Sequence, residues 1–148
     1  MFRGNSFHNL DEKGRIIIPS RFREIIREGG GDVLMVTRLD KCLVGYSLQG
    51  WRQIEERFLT LADFSEHMRR LRRYFLGSAA ECLCDRQGRV LIPQRLRDYA
   101  KLDKEIVLVG LLDHFEIWSR ANWEQADEQV ENDLQNGIVH NEIVKLGL

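Results

Sequence analysis

The sequence predicts an α+β fold with a mainly β core, in which two copies of one supersecondary unit form a pseudo-twofold β-barrel with short helices and an amphipathic linker helix. Three observations carry this. Residues 11–23, DEKGRIIIPSRFR, return seventy-four positions later as DRQGRVLIPQRLR at 85–97. Each copy is followed by two β-rich runs around a short turn, DVLMVTRLDKCLVGYS (32–47) and EIVLVGLLDHFEIWS (105–119). A tryptophan, Trp51 or Trp123, then opens a helical stretch at the matching place in each copy.

Each repeat therefore reads as strand, D-x-x-G-R turn, strand, short helix, hairpin and longer helix, with repeat 1 over 5–50 and repeat 2 over 78–121. Asp11 and Asp85 open the turns, where a short carboxylate can accept backbone N–H groups just ahead of it, and Gly14 and Gly88 supply a positive φ at little cost. After Pro19, residues Phe22, Ile25 and Ile26 fall at i, i+3 and i+4, and Leu96, Tyr99 and Ala100 repeat this after Pro93. Proline suits the first helical position, whose N–H has no partner anyway. The run Gly29, Gly30, Gly31 stops the first helix. The hairpin turns fall at Asp40-Lys41 and Asp113-His114. The helices WRQIEERF and WEQADEQVENDL begin at their tryptophans. In the 51–77 linker, the stretch from Phe58 to Leu76 places Leu61, Phe64, Met68, Leu71 and Phe75 at helical spacing, which predicts one amphipathic helix with its stripe in the core. A C-terminal helix and tail occupy 122–148. Three strands and a short helix cannot bury a sheet face alone, so the two copies must either pack together or find partners, and a pseudo-twofold barrel is the economical solution.

Hydrophobic residues make up 43% and charged residues 30% of the 148, the balance of a soluble globular chain and too apolar for a disordered one. There is no apolar run of membrane-spanning length and no secretory leader, so a cytoplasmic protein is expected. Cys42, Cys82 and Cys84 lack metal or redox spacing and read as reduced, mostly buried side chains. The four histidines are scattered, so neither metal nor other cofactor is expected. The net charge is only −1, but it is unevenly spread: residues 1–27 carry +3 and 67–97 carry +6, against −3 for 28–66 and −7 for 98–148. Positive charge surrounds both copies of the motif, as it would if one face met a polyanion.

A repeated turn follows from a repeated fold, but the repeat does not demand an arginine after each glycine. Arg15 and Arg89 leave braced turns with defined directions, and a guanidinium suits phosphates and guanine edges. Lys13 and Arg86 sit at the loop tips and, with Arg3, are the expected phosphate contacts. Arg69, Arg70, Arg72 and Arg73 read as a solvated helix face or an intersubunit partner for the acidic C-terminal region, with auxiliary DNA contact as the alternative.

These residues resemble those of a known family. MFRG, LDEKGRIIIPSRFR, SAAECLCDRQGRVLIPQRLRDYAKLDKEIVLVG and FEIW together are similar to MraZ, a family with two SpoVT/AbrB-type domains. The resemblance covers Met1 to about Trp123. It implies AbrB-like swapped-hairpin repeats in a β-barrel, a transcriptional regulator of repeated double-stranded DNA boxes upstream of its own division and cell-wall gene cluster, and homo-oligomeric rings on the nucleoid. The family's D-x-x-x-R signature falls on Asp11 and Arg15 and on Asp85 and Arg89. Lys13 becomes Gln87 in the second copy, which instead has Arg86. The alternative in the same fold is an antitoxin-like module that sequesters a protein partner. An enzyme is not expected, nor a small-molecule substrate: Gly29 to Gly31 follow a helix and no G-K-[ST] comes after them, and no nucleophile adjoins Asp113 and His114.

Overall fold

Neither repeat completes a sheet from its own strands. The computed structural model describes residues 1–148. Repeat 1 supplies β1 (Asn5–Asn9), β2 (Arg15–Ile17), α1 (Ser20–Glu28), β3 (Val33–Leu39), β4 (Cys42–Ser47) and α2 (Leu48–Thr60). After α3 (Glu66–Phe75), the second copy follows as β5 (Ala80–Leu83), β6 (Arg89–Leu91), α4 (Gln94–Tyr99), β7 (Glu105–Gly110), β8 (Phe115–Ser119) and α5 (Arg120–Gln135), and α6 (His140–Leu146) ends the chain. Six strands form one antiparallel sheet in the order β1-β7-β8-β4-β3-β5, while β2 and β6 pair only with each other. Exchanging each strand with its counterpart in the other repeat leaves both orders unchanged. The first strand of each repeat thus adds to the other repeat's hairpin, Phe7 opposite Val107 and Cys82 opposite Leu34.

The expected barrel is not closed. β1 and β5 are the free edges of the large sheet, because the turn after each sends the chain out of the sheet into the β2–β6 ribbon; only an isolated Cys84–Val90 bridge and the turn bonds from the Asp11 and Asp85 amides to the Arg15 and Arg89 carbonyls join ribbon to edge. The ribbon buries its inner face instead. Ile16, Ile18, Val90 and Ile92 are fully buried against Leu34, Val36, Leu108 and the α1 and α4 side chains Phe22, Ile26 and Leu96. At its heart Phe2, Phe22 and Phe115 meet with ring centroids 5.1–5.2 Å apart, joining the N-terminus, the first helix and the last strand. Ile25 and Tyr99 complete the two predicted helical faces half-buried.

Alternate residues of the same strands face outward. Met35, Val44 and Tyr46 pack against Trp51 of α2 and Phe75 of α3. On the other half of the sheet, Cys42, Val107 and Trp118 lie under Trp123 and Ala126 of α5. Both outer helices begin three residues before their tryptophans, since buried Ser47 and Ser119 cap them, accepting hydrogen bonds from the Gly50 and Asn122 amides at 3.1 Å. Pro19 and Pro93 occupy the cap position itself, with ψ near 144°, one residue earlier than expected. Asp40 and Lys41 both adopt positive φ, as a two-residue hairpin loop requires. The second hairpin turns over the longer stretch 111–114, because Leu112 is held in a bridge to Phe2.

The single linker helix is also corrected. Residues 61–65 break it into α2 and α3, where the Asp63 carboxylate accepts the Ser65 amide at 2.9 Å and Ser65 Oγ accepts the Met68 amide at 3.3 Å. These local bonds outcompete the helix that the apolar spacing suggests. Of the predicted stripe, Phe75 is buried and Met68 half-buried, whereas Leu61, Phe64 and Leu71 are exposed. The tail forms two helices separated by a turn at 136–139, yet none of the residues of α5 and α6 is buried, and Val130, Leu134, Val144 and, in the turn, Ile138 stand in solvent. No helix is long and apolar enough to cross a membrane.

Candidate nucleic-acid interface

The two turns have the same geometry. The Gly14 amide donates to the Asp11 carbonyl at 3.0 Å, as Gly88 does to Asp85 at 2.9 Å, and the glycines take φ of +84° and +80°. Asp11 Oδ1 accepts the Lys13 and Arg15 amides at 2.9 and 2.8 Å while its Oδ2 takes Arg15 Nε at 2.7 Å. Asp85 does the same for Gln87 and Arg89, each bond at 2.9 Å. Each carboxylate thus ties its turn closed and fixes the root of the guanidinium through Nε, leaving both terminal nitrogens outside that bond.

These bonds hold both aspartates below the ordinary carboxylate value of 3.8, chiefly through the Arg15 and Arg89 amides and then through the arginine side chains and the amides of Lys13 and Gln87. A lowered carboxylate stabilises the fold fully above its unfolded value, and that contribution is lost as pH falls through the lowered one. Turn order should therefore persist to below pH 3.8. Chemical shifts of the Lys13, Arg15, Gln87 and Arg89 amides are expected to move together with midpoints below that value, and midpoints at or above it would contradict the bonding described.

The ribbon places both turns on one surface. Arg15 lies opposite Leu91 and Ile17 opposite Arg89, and directly paired residues share a face. The outer face therefore carries Arg15, Arg89, Ile17 and Leu91, the two arginines offset by two residues or about 7 Å along the strands. Ile17 and Leu91 are more than half exposed beside them, while Ile16 and Val90 point into the core. The loop tips Lys13 and Arg86 are exposed next to this face. The second tip reads Arg86-Gln87 where the first reads Glu12-Lys13, so it is the more basic. Arg3 stands apart, at the opposite end of β1 from the first turn and about 25 Å from Asp11 along the extended chain.

Two arginines outside the predicted site belong to the turns. The Arg97 guanidinium lies on Gly14, where any side chain would collide with it, and Arg23 lies likewise on Gly88. Helical spacing put both on short helices after the prolines, but only the cross-repeat pairing of β2 with β6 brings each to the other copy's turn. Exposed Ile17 and Leu91 were visible only as part of an aliphatic run.

Two of the four α3 arginines hold the α2–α3 corner and a third pairs within its own helix. Arg72 donates to the Phe58 carbonyl at 2.6 Å, Arg69 to that of Phe64 at 2.6 Å, and Arg70 pairs with Glu66 at 2.9 Å. His114 bonds Asp113 at 2.6 Å and stacks on Tyr46. No cluster of three His, Cys, Asp or Glu side chains could hold a metal. Cys42 and Cys82 are buried and Cys84 half-buried, and burial raises all three thiols above their ordinary value.

Residues 1–73 and 75–138 match the family described as "MraZ protein, putative antitoxin-like". The chain is 55% identical over all 148 residues to the transcriptional regulator MraZ of Desulforapulum autotrophicum, covering that chain completely, and 49% identical, again over both full lengths, to its namesake in Desulfosudis oleivorans. It is 46% identical to the transcriptional regulator MraZ of Moorella thermoacetica over 125 residues, 84% of this chain and 85% of that one. Matches of this extent, on a chain whose two braced D-x-x-G-R turns share one ribbon face, show that it belongs to the MraZ family.

Proposed function

We propose that the chain is a sequence-specific, double-stranded DNA-binding regulator of transcription that reads repeated boxes upstream of its own division and cell-wall gene cluster. The observation that carries this is the pair of arginine forks on one ribbon face, each rooted by an aspartate at 2.7–2.9 Å. A guanidinium held at Nε loses less freedom on binding than a mobile one, and its two terminal nitrogens match O6 and N7 of guanine. Lys13 and Arg86 contact phosphates beside the forks, and Arg3 is left to flanking backbone. The names of the three relatives support a regulator. The protein acts in the cytoplasm on the nucleoid and needs no cofactor.

One chain presents only two forks, and each good bidentate contact discriminates by about 1–3 kcal/mol. A homo-oligomeric ring engaging tandem boxes raises affinity by multivalency. Basic α3 and acidic α5 flank opposite halves of the sheet's outer face, an unequal pair suited to head-to-tail contact. The test is anisotropy of labelled duplex carrying the upstream direct repeats, against a scrambled duplex, across salt. Affinity should fall with log salt by roughly 0.9 per phosphate contact and favour the repeats. A flat salt profile or equal affinity for both duplexes overturns the reading, and a single-chain mass by sedimentation in the same buffers removes the ring.

The antitoxin-like alternative is favoured by one feature, the apolar side chains that α5 and α6 leave uncovered. A stable complex with a small ribonuclease encoded next door, without a DNA footprint, would establish it instead.

A further inference from the structure

We propose that Arg97 and Arg23 are positioning residues for the turns of the opposite repeats: Arg97, from the second repeat's helix, clamps the turn from Asp11 to Arg15, and Arg23, from the first repeat's helix, clamps the turn from Asp85 to Arg89 less firmly. The guanidinium of each occupies the space in front of a glycine where a side chain would stand, so Gly14 and Gly88 meet two requirements, a positive φ and a bare Cα surface. The same glycines are held from behind by the same partner repeat. The Ile92 amide donates to the Gly14 carbonyl at 3.0 Å, and the Ile18 amide to that of Gly88 at 2.8 Å. Each turn is thus gripped on two sides by residues of the other copy.

The two clamps differ in how their arginines are anchored. Arg97 Nε donates to the Ile92 carbonyl at 2.9 Å. Its helix is pinned in turn: Tyr99 Oη accepts the Lys41 amide at 3.0 Å and bonds Tyr74 Oη at 2.6 Å. Arg23 Nε is buried without a hydrogen-bond partner. An unmet buried donor carries a desolvation cost, so Arg23 gives up its place more readily than Arg97. The first turn is accordingly the stiffer of the two. The device also links the copies mechanically, since displacing one turn pushes on the helix that follows the other.

Amide hydrogen exchange in the free protein tests this without DNA. In the wild type, the Lys13 and Arg15 amides should exchange more slowly than those of Gln87 and Arg89. Arg97→Ala should speed Lys13 and Arg15 by about tenfold and leave Gln87 and Arg89 within about twofold, with Arg23→Ala doing the reverse. Arg97→Lys keeps the charge and most of the stem, so it guards against simple unfolding, and without a flat fork it should loosen the Asp11 turn as Ala does. Acceleration confined to the mutated residue's own repeat, no acceleration in a folded variant, or wild-type behaviour of Arg97→Lys overturns the clamp. A duplex-binding assay on Arg97→Lys separates this from the DNA reading: a loosened turn with undiminished preference for the repeats leaves the clamp standing and counts against recognition through the turns.

Discussion

Phe115→Ala is expected to destabilise the fold by about 3–5 kcal/mol, the range for truncating a fully buried phenylalanine. Its ring is inaccessible to solvent, touches Phe2 and Phe22 at 5.1 and 5.2 Å between centroids, and lies so close over Gly45 that a β-carbon there would come within 2.8 Å of it. Few atoms around it can move inward. Gly45 sits on a strand, and Phe2 is fixed by two backbone bonds to Leu112 at 2.9 and 2.8 Å. The cavity should persist, adding to the lost transfer energy. Since small domains are stable by only about 5–15 kcal/mol in total, a large part of the folded population is at stake. Urea denaturation of Phe115→Ala beside Phe64→Ala is the check. Phe64 is 79% exposed and should cost no more than about 0.5 kcal/mol, the range for surface changes. Similar midpoints for the two variants would show that the aromatic cluster is not the centre of the core.

The same cluster marks the boundary of what could be read from the chain. Local features were legible because each rests on a few neighbouring residues: the glycine of each turn, the i, i+3, i+4 faces behind Pro19 and Pro93, and the hairpin at Asp40-Lys41. The starts of α2 and α5 were also within reach, since Ser47 and Ser119 stand where caps belong, but the tryptophans drew the boundary three residues late. Pairing between the copies has no comparable signal. Nothing in β1 distinguishes β7 from β3 as its neighbour, so which strands pair, the open edges and the reach of Arg97 to Gly14 emerge only in three dimensions. The linker failed for the opposite reason. Leu61, Phe64, Met68, Leu71 and Phe75 keep helical period across residues 61–65, but Asp63 and Ser65 offer the backbone better partners there, and Phe64 ends in solvent. The basic segments only raised the expectation of an anion near the turns, and nothing in them indicated that Asp11 and Asp85 would take one nitrogen of each arginine and leave two.

That arrangement makes the arginine variants the sharpest functional test. Arg15→Ala and Arg89→Ala should each lower the preference for repeat-bearing over scrambled duplex by the about 1–3 kcal/mol of a lost bidentate contact, roughly 5- to 150-fold. In an oligomer the loss recurs at every engaged box, so the double variant should show no measurable preference. Folding should survive, because each aspartate keeps both of its amide bonds, Lys13 and Arg15 or Gln87 and Arg89, when the side chain is gone. Overlaid melting curves would establish that point. Arg15→Lys separates the two ways an arginine can act. A lysine restores the charge and with it the phosphate attraction, but one ammonium cannot span O6 and N7 together, so affinity should partly return while discrimination does not. Lys13→Ala and Arg86→Ala supply the contrast: a phosphate contact carries no sequence information, and losing it should weaken both duplexes alike and reduce the salt slope by about 1. If the turn-arginine variants instead behave like these tip variants, the forks act only as charges, and discrimination between sequences must lie elsewhere on the ribbon face, where Ile17 and Leu91 stand exposed beside them.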